Sequence, residues 1–185
     1  MRLVAVALAL FALAGTAQAY TQHKSLNDVA SIFAQRPVKV LCYDLEEQGS
    51  PNLFGAWGYV KKPLGKAKKA HLDLVICNGA LNVNDQSIPA WQRALGVSVL
   101  IHESYHLRRW GAAGDEAKVE CKAIRHFRTG ARLLGATEET VEELWPAALA
   151  AHYELAEYES IWDGGKKPYY DPNCNVPRLH EDEEE

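Results

Sequence analysis

Hydrophobic and polar positions follow strand-like spacing through the first half of the chain and fall on helical faces through the second. Val38-Lys39-Val40-Leu41-Cys42-Tyr43 is rich in β-branched and aromatic residues and predicts a strand. A second strand is expected from about Ala56 to Lys61, carrying Trp57, Tyr59 and Val60, with Gly49, Ser50 and Pro51 as the turn before it. His71-Leu72-Asp73-Leu74-Val75-Ile76-Cys77 alternates and then becomes wholly apolar, the pattern of a third strand. Ahead of the sheet, Ser25-Leu26-Asn27-Asp28 reads as the capped start of a short helix that reaches about Gln35 and is closed by Pro37.

Past Asn78-Gly79 the period becomes helical. Ser87 is placed to cap a helix with Pro89 in its first turn, and the pattern leaves open whether that helix runs through Gly96 or restarts there. Val97 to Arg109 fits a buried helix ended by Gly111 and Gly114. Asp115 can cap a further helix to about Leu134, closed by Gly135. Thr137 or Thr140 starts the next, Pro146 restarts it, and it reaches about Trp162. A small sheet followed by helices is an α+β organisation.

The two ends of the chain carry signals of their own. Arg2, the uncharged apolar run Leu3 to Ala14 and the small-x-small site Ala17-Gln18-Ala19 read as a signal peptide over residues 1–19, so the mature chain is expected to begin at Tyr20. That run is short for a membrane span, and Thr16 stands where a lipoprotein would need cysteine, so no membrane anchor is expected after cleavage. Residues 20–170 then form one domain, and residues 171–185 an extended tail, pinned by Cys174 and ending in Glu181-Asp182-Glu183-Glu184-Glu185. Four cysteines in an exported chain, Cys42, Cys77, Cys121 and Cys174, predict two disulfides. Three pairings are open; Cys42–Cys77 with Cys121–Cys174 is preferred because each bond joins segments otherwise tethered only by packing. A net charge of −4 speaks against nucleic acid as a partner, and the five lysines within residues 61–69 read as a solvated hairpin loop.

His102-Glu103-Ser104-Tyr105-His106 adds chemistry to this outline. Residues four apart share a helical face, so the two imidazoles can converge on one metal ion, and Glu103 can take a proton from water at the ion's open position. The preceding Val99-Leu100-Ile101 is apolar, and two histidines and a glutamate on a buried helix are costly without a partner. Glu116 and Glu120 are also four apart and can supply a third ligand from the next helix. Asp115 is read as that helix's cap, and Cys121 as a disulfide partner in preference to a thiolate ligand.

On these residues, Val97 to Cys121 resembles the glutamate-type zincin metallopeptidases, in which HExxH is completed by a glutamate on a following helix. The resemblance implies a secreted zinc peptidase with one Zn²⁺ per chain held by His102, His106 and Glu116. Glu103 is then the group that activates water, and Glu120 the carboxylate hydrogen-bonded to His102 or His106. The chain departs from the pattern in having only nine residues between His106 and Glu116, which keeps Glu120 open as the ligand. Arg108 stands where an apolar residue is usual. The resemblance also implies an edge strand lining the cleft and pairing with an extended peptide or protein substrate, for which Leu72 to Cys77 is the candidate. His152 and Tyr153, with His126 and Tyr158 behind them, are candidates for stabilising the oxyanion. The alternatives are a non-catalytic zincin scaffold with structural zinc or none, and an envelope amidase acting on a non-peptide substrate.

Overall fold

The structure is a computed structural model that describes residues 20–44, 57–61, 66–109, 115–157 and 169–176. The expected leader, the Gly49-Ser50-Pro51 turn, the Gly111 and Gly114 helix stop, Tyr158, Trp162 and the acidic run 181–185 lie outside the described residues. No helix among the described residues is long and apolar enough to cross a membrane.

The first helix, α1 (Lys24–Ala34), buries Leu26, Val29, Ala30 and Phe33 at helical spacing. It starts two residues earlier than Ser25-Leu26-Asn27-Asp28 suggests, with His23 at its N-cap position. Asn27 has another use: its Oδ1 accepts from Val40 N at 2.6 Å, fixing α1 to β1 (Lys39–Tyr43). Two more strands, β2 (Gly58–Val60) and β3 (Lys69–Asp73), complete a sheet of order β1-β3-β2. β1 runs parallel to β3 and β2 antiparallel to it.

Two expectations about the third strand fail. The strand ends at Asp73, whose Oδ1 accepts from Val75 N at 2.8 Å, and Leu74-Val75-Ile76-Cys77 opens α2 (Leu74–Leu81). A short apolar run does not separate a strand from a buried helix; the capping aspartate decides it. β3 is also the central strand, so Leu72 to Cys77 is not an edge.

The long helix α3 (Ala90–His106) follows, with Pro89 at its N-cap position and no side-chain cap; Ser87, expected to cap it, instead donates its N to Asp85 Oδ1 at 2.9 Å. It passes through Gly96 without a break and stops at His106, short of Arg109. A Cβ at Gly96 would lie 2.4 Å from Ala80 N, so the α2 and α3 backbones touch there. The predicted helix from Asp115 to Leu134 is two: α4 (Glu116–Arg125) and α5 (Phe127–Leu133), divided at His126, with Gly135 at φ 90° after them. Asp115 caps α4 by accepting from Lys118 N at 3.1 Å. Thr137 Oγ1 accepts from Thr140 N at 3.1 Å at the start of α6 (Glu138–Glu157), which contains Pro146 without restarting.

α3 packs against every other helix and against β2 and β3. Its Ala94, Val97, Leu100 and Ile101 are wholly buried, and each large side chain there contributes roughly 1.5–3 kcal/mol of apolar burial. Both preferred disulfides are present: Cys42–Cys77 ties β1 to α2, and Cys121–Cys174 ties α4 to residues 169–176. Such bonds belong to an oxidising environment.

Candidate metal centre

The inward face of α3 is apolar through Leu100, Ile101 and Leu107, and this packing fixes the rotation of the helix. His102 and His106 then project one turn apart toward α4. Their Nε2 atoms lie 3.0 Å from each other, and Glu116 Oε2 lies 3.2 Å from both. These three atoms form a nearly equilateral triangle. Tetrahedral bonds of about 2.0–2.1 Å to a zinc ion separate their donors by only slightly more, about 3.3–3.4 Å. The group can hold a single metal ion.

Glu120, one turn further along α4, is buried between two imidazoles. His102 Nδ1 donates to its Oε2 at 2.9 Å and His152 Nδ1 to its Oε1 at 3.0 Å. Of the two glutamates, Glu116 therefore joins the three-atom cluster and Glu120 holds the opposite nitrogen of His102. This contact decides how the cluster accommodates a cation. With its proton on Nδ1, a neutral His102 turns an unprotonated Nε2 toward the Glu116 carboxylate and toward His106. Electron pairs crowded in this way repel until a proton or a metal ion sits among them.

The acid–base equilibria express the same preference. Burial alone would lower His102, but its hydrogen bonds to Glu116 and Glu120 and the negative charges of Glu103 and Glu120 raise it to about 10. His106 rises as well, with burial opposed by the Glu116 hydrogen bond and the charges of Glu103 and Glu116. Burial pushes both α4 carboxylates upward, yet the imidazoles overcome it, holding Glu116 far below the usual range and Glu120 at about 2. Glu103 behaves differently: burial and the Glu116 charge raise its pKa against the pull of His102 and His106.

A cleft of about 420 Å³ opens beside these side chains, lined by His102, Glu103, Glu120, His152, Trp57 and Tyr169 among others. Gly58 lets β2 press close: a Cβ there would meet Leu72 Cδ2 at 2.8 Å, Val99 Cγ1 at 3.0 Å and Glu103 Cγ at 3.1 Å. A scan with protein-family models finds no match to this chain, and searches of curated proteins and of solved structures find none either. The functional reading therefore rests on the arrangement of the side chains.

Other candidates fall elsewhere. Tyr153 packs at the margin of the core and is not among the cleft-lining residues. His126 is exposed, with Nδ1 against the Lys122 carbonyl at 2.9 Å. Cys121 is committed to its disulfide and supplies no thiolate. Arg108 occupies its unexpected place by donating Nε to the Phe33 carbonyl at 2.7 Å and stacking its guanidinium 4.3 Å from the Tyr105 ring centre. Trp57, Gly58 and Tyr169 are cleft residues that the motif does not reveal. The nearby Cys174 is the only sequence signal that residues around Tyr169 return to the body of the molecule.

Proposed function

We propose that this chain is an exported zinc metallohydrolase, a small peptidase of the zincin kind. The observation that carries the reading is the convergence of His102 Nε2, His106 Nε2 and Glu116 Oε2 beside a cleft that Glu103 also lines. Two imidazoles and a carboxylate suit Zn²⁺, and three protein ligands are the number typical of catalytic zinc sites. When bound, zinc supplies Lewis-acid polarisation of a carbonyl and acidification of water. Glu103 accepts the proton released during attack on the amide and returns it to the leaving nitrogen; burial, which raises its pKa, strengthens it as a base. Glu120 fixes the ring of His102. His152, held by the same carboxylate, lines the cleft and is the candidate for contact with the developing oxyanion. An extended substrate is presented along β2, which among the described residues pairs only with β3 and reaches the cleft through Trp57 and Gly58. The two disulfides agree with export, for which residues 1–19 supply the signal.

Metal analysis of the mature protein together with Glu103→Gln tests the proposal. Both proteins are expected to carry one zinc per chain, with peptide hydrolysis in the variant reduced about 10²–10⁴-fold. A wild type without zinc after growth in metal-replete medium, or a variant that keeps full activity, overturns it. Zinc in both with hydrolysis by neither leaves a metal-binding module.

A further inference from the structure

Residues 169–176 follow α6 in sequence yet pack against α4, and the proposed reaction alone does not account for this. Two side chains of α4 hold the segment: Cys121 is bonded to Cys174, and Arg125 Nη2 donates to the Asn173 carbonyl at 3.3 Å. Lys118, ion-paired with Asp115 at 2.8 Å, adds only a weak attraction for Asp171. Spacings of three and four put positions 118, 121 and 125 on one side of the helix, while Glu116 and Glu120 address the histidines from another. Within the segment, the Asp171 carbonyl accepts from Cys174 N at 3.0 Å and Asp171 Oδ1 from Asn173 N at 2.8 Å. Its first described residue, Tyr169, is half-buried, lines the cleft and lies 6.1 Å from His102 between ring centres.

We infer that residues 169–176 are a strap which the Cys121–Cys174 disulfide fastens beside the cleft, and that Tyr169 is the residue with which it closes the approach to the metal group and contacts the substrate. The inference rests on the proposed reading of the site as the metal centre of a hydrolase. The Arg125 hydrogen bond is exposed and the attraction of Lys118 for Asp171 is screened by water, so the covalent bond is the tie that keeps Tyr169 in register with His102. The disulfide starts from the residue after Glu120, so the strap and the His102–Glu120 contact share one helical turn.

The test uses the full mature chain loaded with zinc, in four forms: wild type, Tyr169→Phe, Tyr169→Ala, and a Cys121→Ala/Cys174→Ala double variant. Two quantities are read: the rate at which zinc passes to the chelator 4-(2-pyridylazo)resorcinol, and KM and kcat on a fluorogenic peptide. All forms are expected to hold equal zinc. Tyr169→Ala and the double variant should release it about fivefold faster or more and raise KM by a similar factor with kcat within about twofold, and Tyr169→Phe, which keeps the ring beside His102, should recover most of the difference. Release and KM unchanged in Tyr169→Ala overturn the inference, and that variant decides alone if the double variant does not fold. Faster release in Tyr169→Ala but not in the double variant overturns the role of the disulfide. Faster release in a protein that hydrolyses no peptide removes the peptidase and leaves the closing strap; hydrolysis with wild-type release and KM in Tyr169→Ala does the reverse.

Discussion

Glu120 serves two imidazoles at once, and this makes it the most sensitive position outside the three-atom cluster. A carboxylate accepts on both oxygens, from His102 Nδ1 and from His152 Nδ1. The amide of Glu120→Gln offers one accepting oxygen and one donating nitrogen, so one of the two rings loses its anchor. Zinc affinity should fall about 10–100-fold, measured by chelator competition; an affinity within twofold of wild type would show that the contact does not orient the ring. The paired spacing of His102 and His106, and of Glu116 and Glu120, was legible in the sequence because a helix turns i,i+4 separations into shared faces. Tyr169 was not: it reaches the cleft through a disulfide, and pairing leaves no periodic trace along a chain.

At the scale of elements, helical and strand periodicity located α1, β1, β2 and the helical second half. The boundary between β3 and α2 does not show in the pattern because Leu74-Val75-Ile76-Cys77 is apolar enough for either state, and the choice turns on the Asp73 side chain. Whether α3 passes Gly96 was equally undecidable, since an isolated glycine lowers helix propensity without forbidding the helix. What retains the helix there is contact with α2. In an exposed helix Gly→Ala stabilises by about 1 kcal/mol, but Gly96→Ala would push its Cβ to 2.4 Å from Ala80 N and 2.8 Å from the Ile76 carbonyl oxygen. The expected outcome is a loss of about 3 kcal/mol in urea unfolding, because two backbones must separate. An unchanged or higher midpoint would show that the helices part without cost.

For the whole molecule, pH acts on stability through His71 as well as through the cluster of His102, His106 and Glu116. His71 is buried on β3, stacked against Tyr59 with ring centres 4.6 Å apart and in contact with the Tyr43 hydroxyl. Burial, helped by the positive charges of Lys61 and Lys69, lowers its pKa from 6.5 to about 4. The unfolded chain therefore binds this proton more readily than the folded one. The stability due to neutral His71 is complete above pH 6.5 and declines as pH falls toward about 4. In EDTA, which keeps metal ions out of the titration, wild type should lose about 2 kcal/mol more than His71→Asn between pH 7.5 and 5 in urea unfolding; parallel losses would place the acid sensitivity elsewhere. The two faces of α4 bind these levels together. Each added residue rotates a helix by about 100°, so one residue inserted between Glu116 and Glu120 would swing the second glutamate from His102 and, in the same motion, turn Cys121 away from Cys174. Variation in the length of that turn is closed to this fold: the carboxylates and the crosslink share one reading frame of the helix and would be lost by the same event.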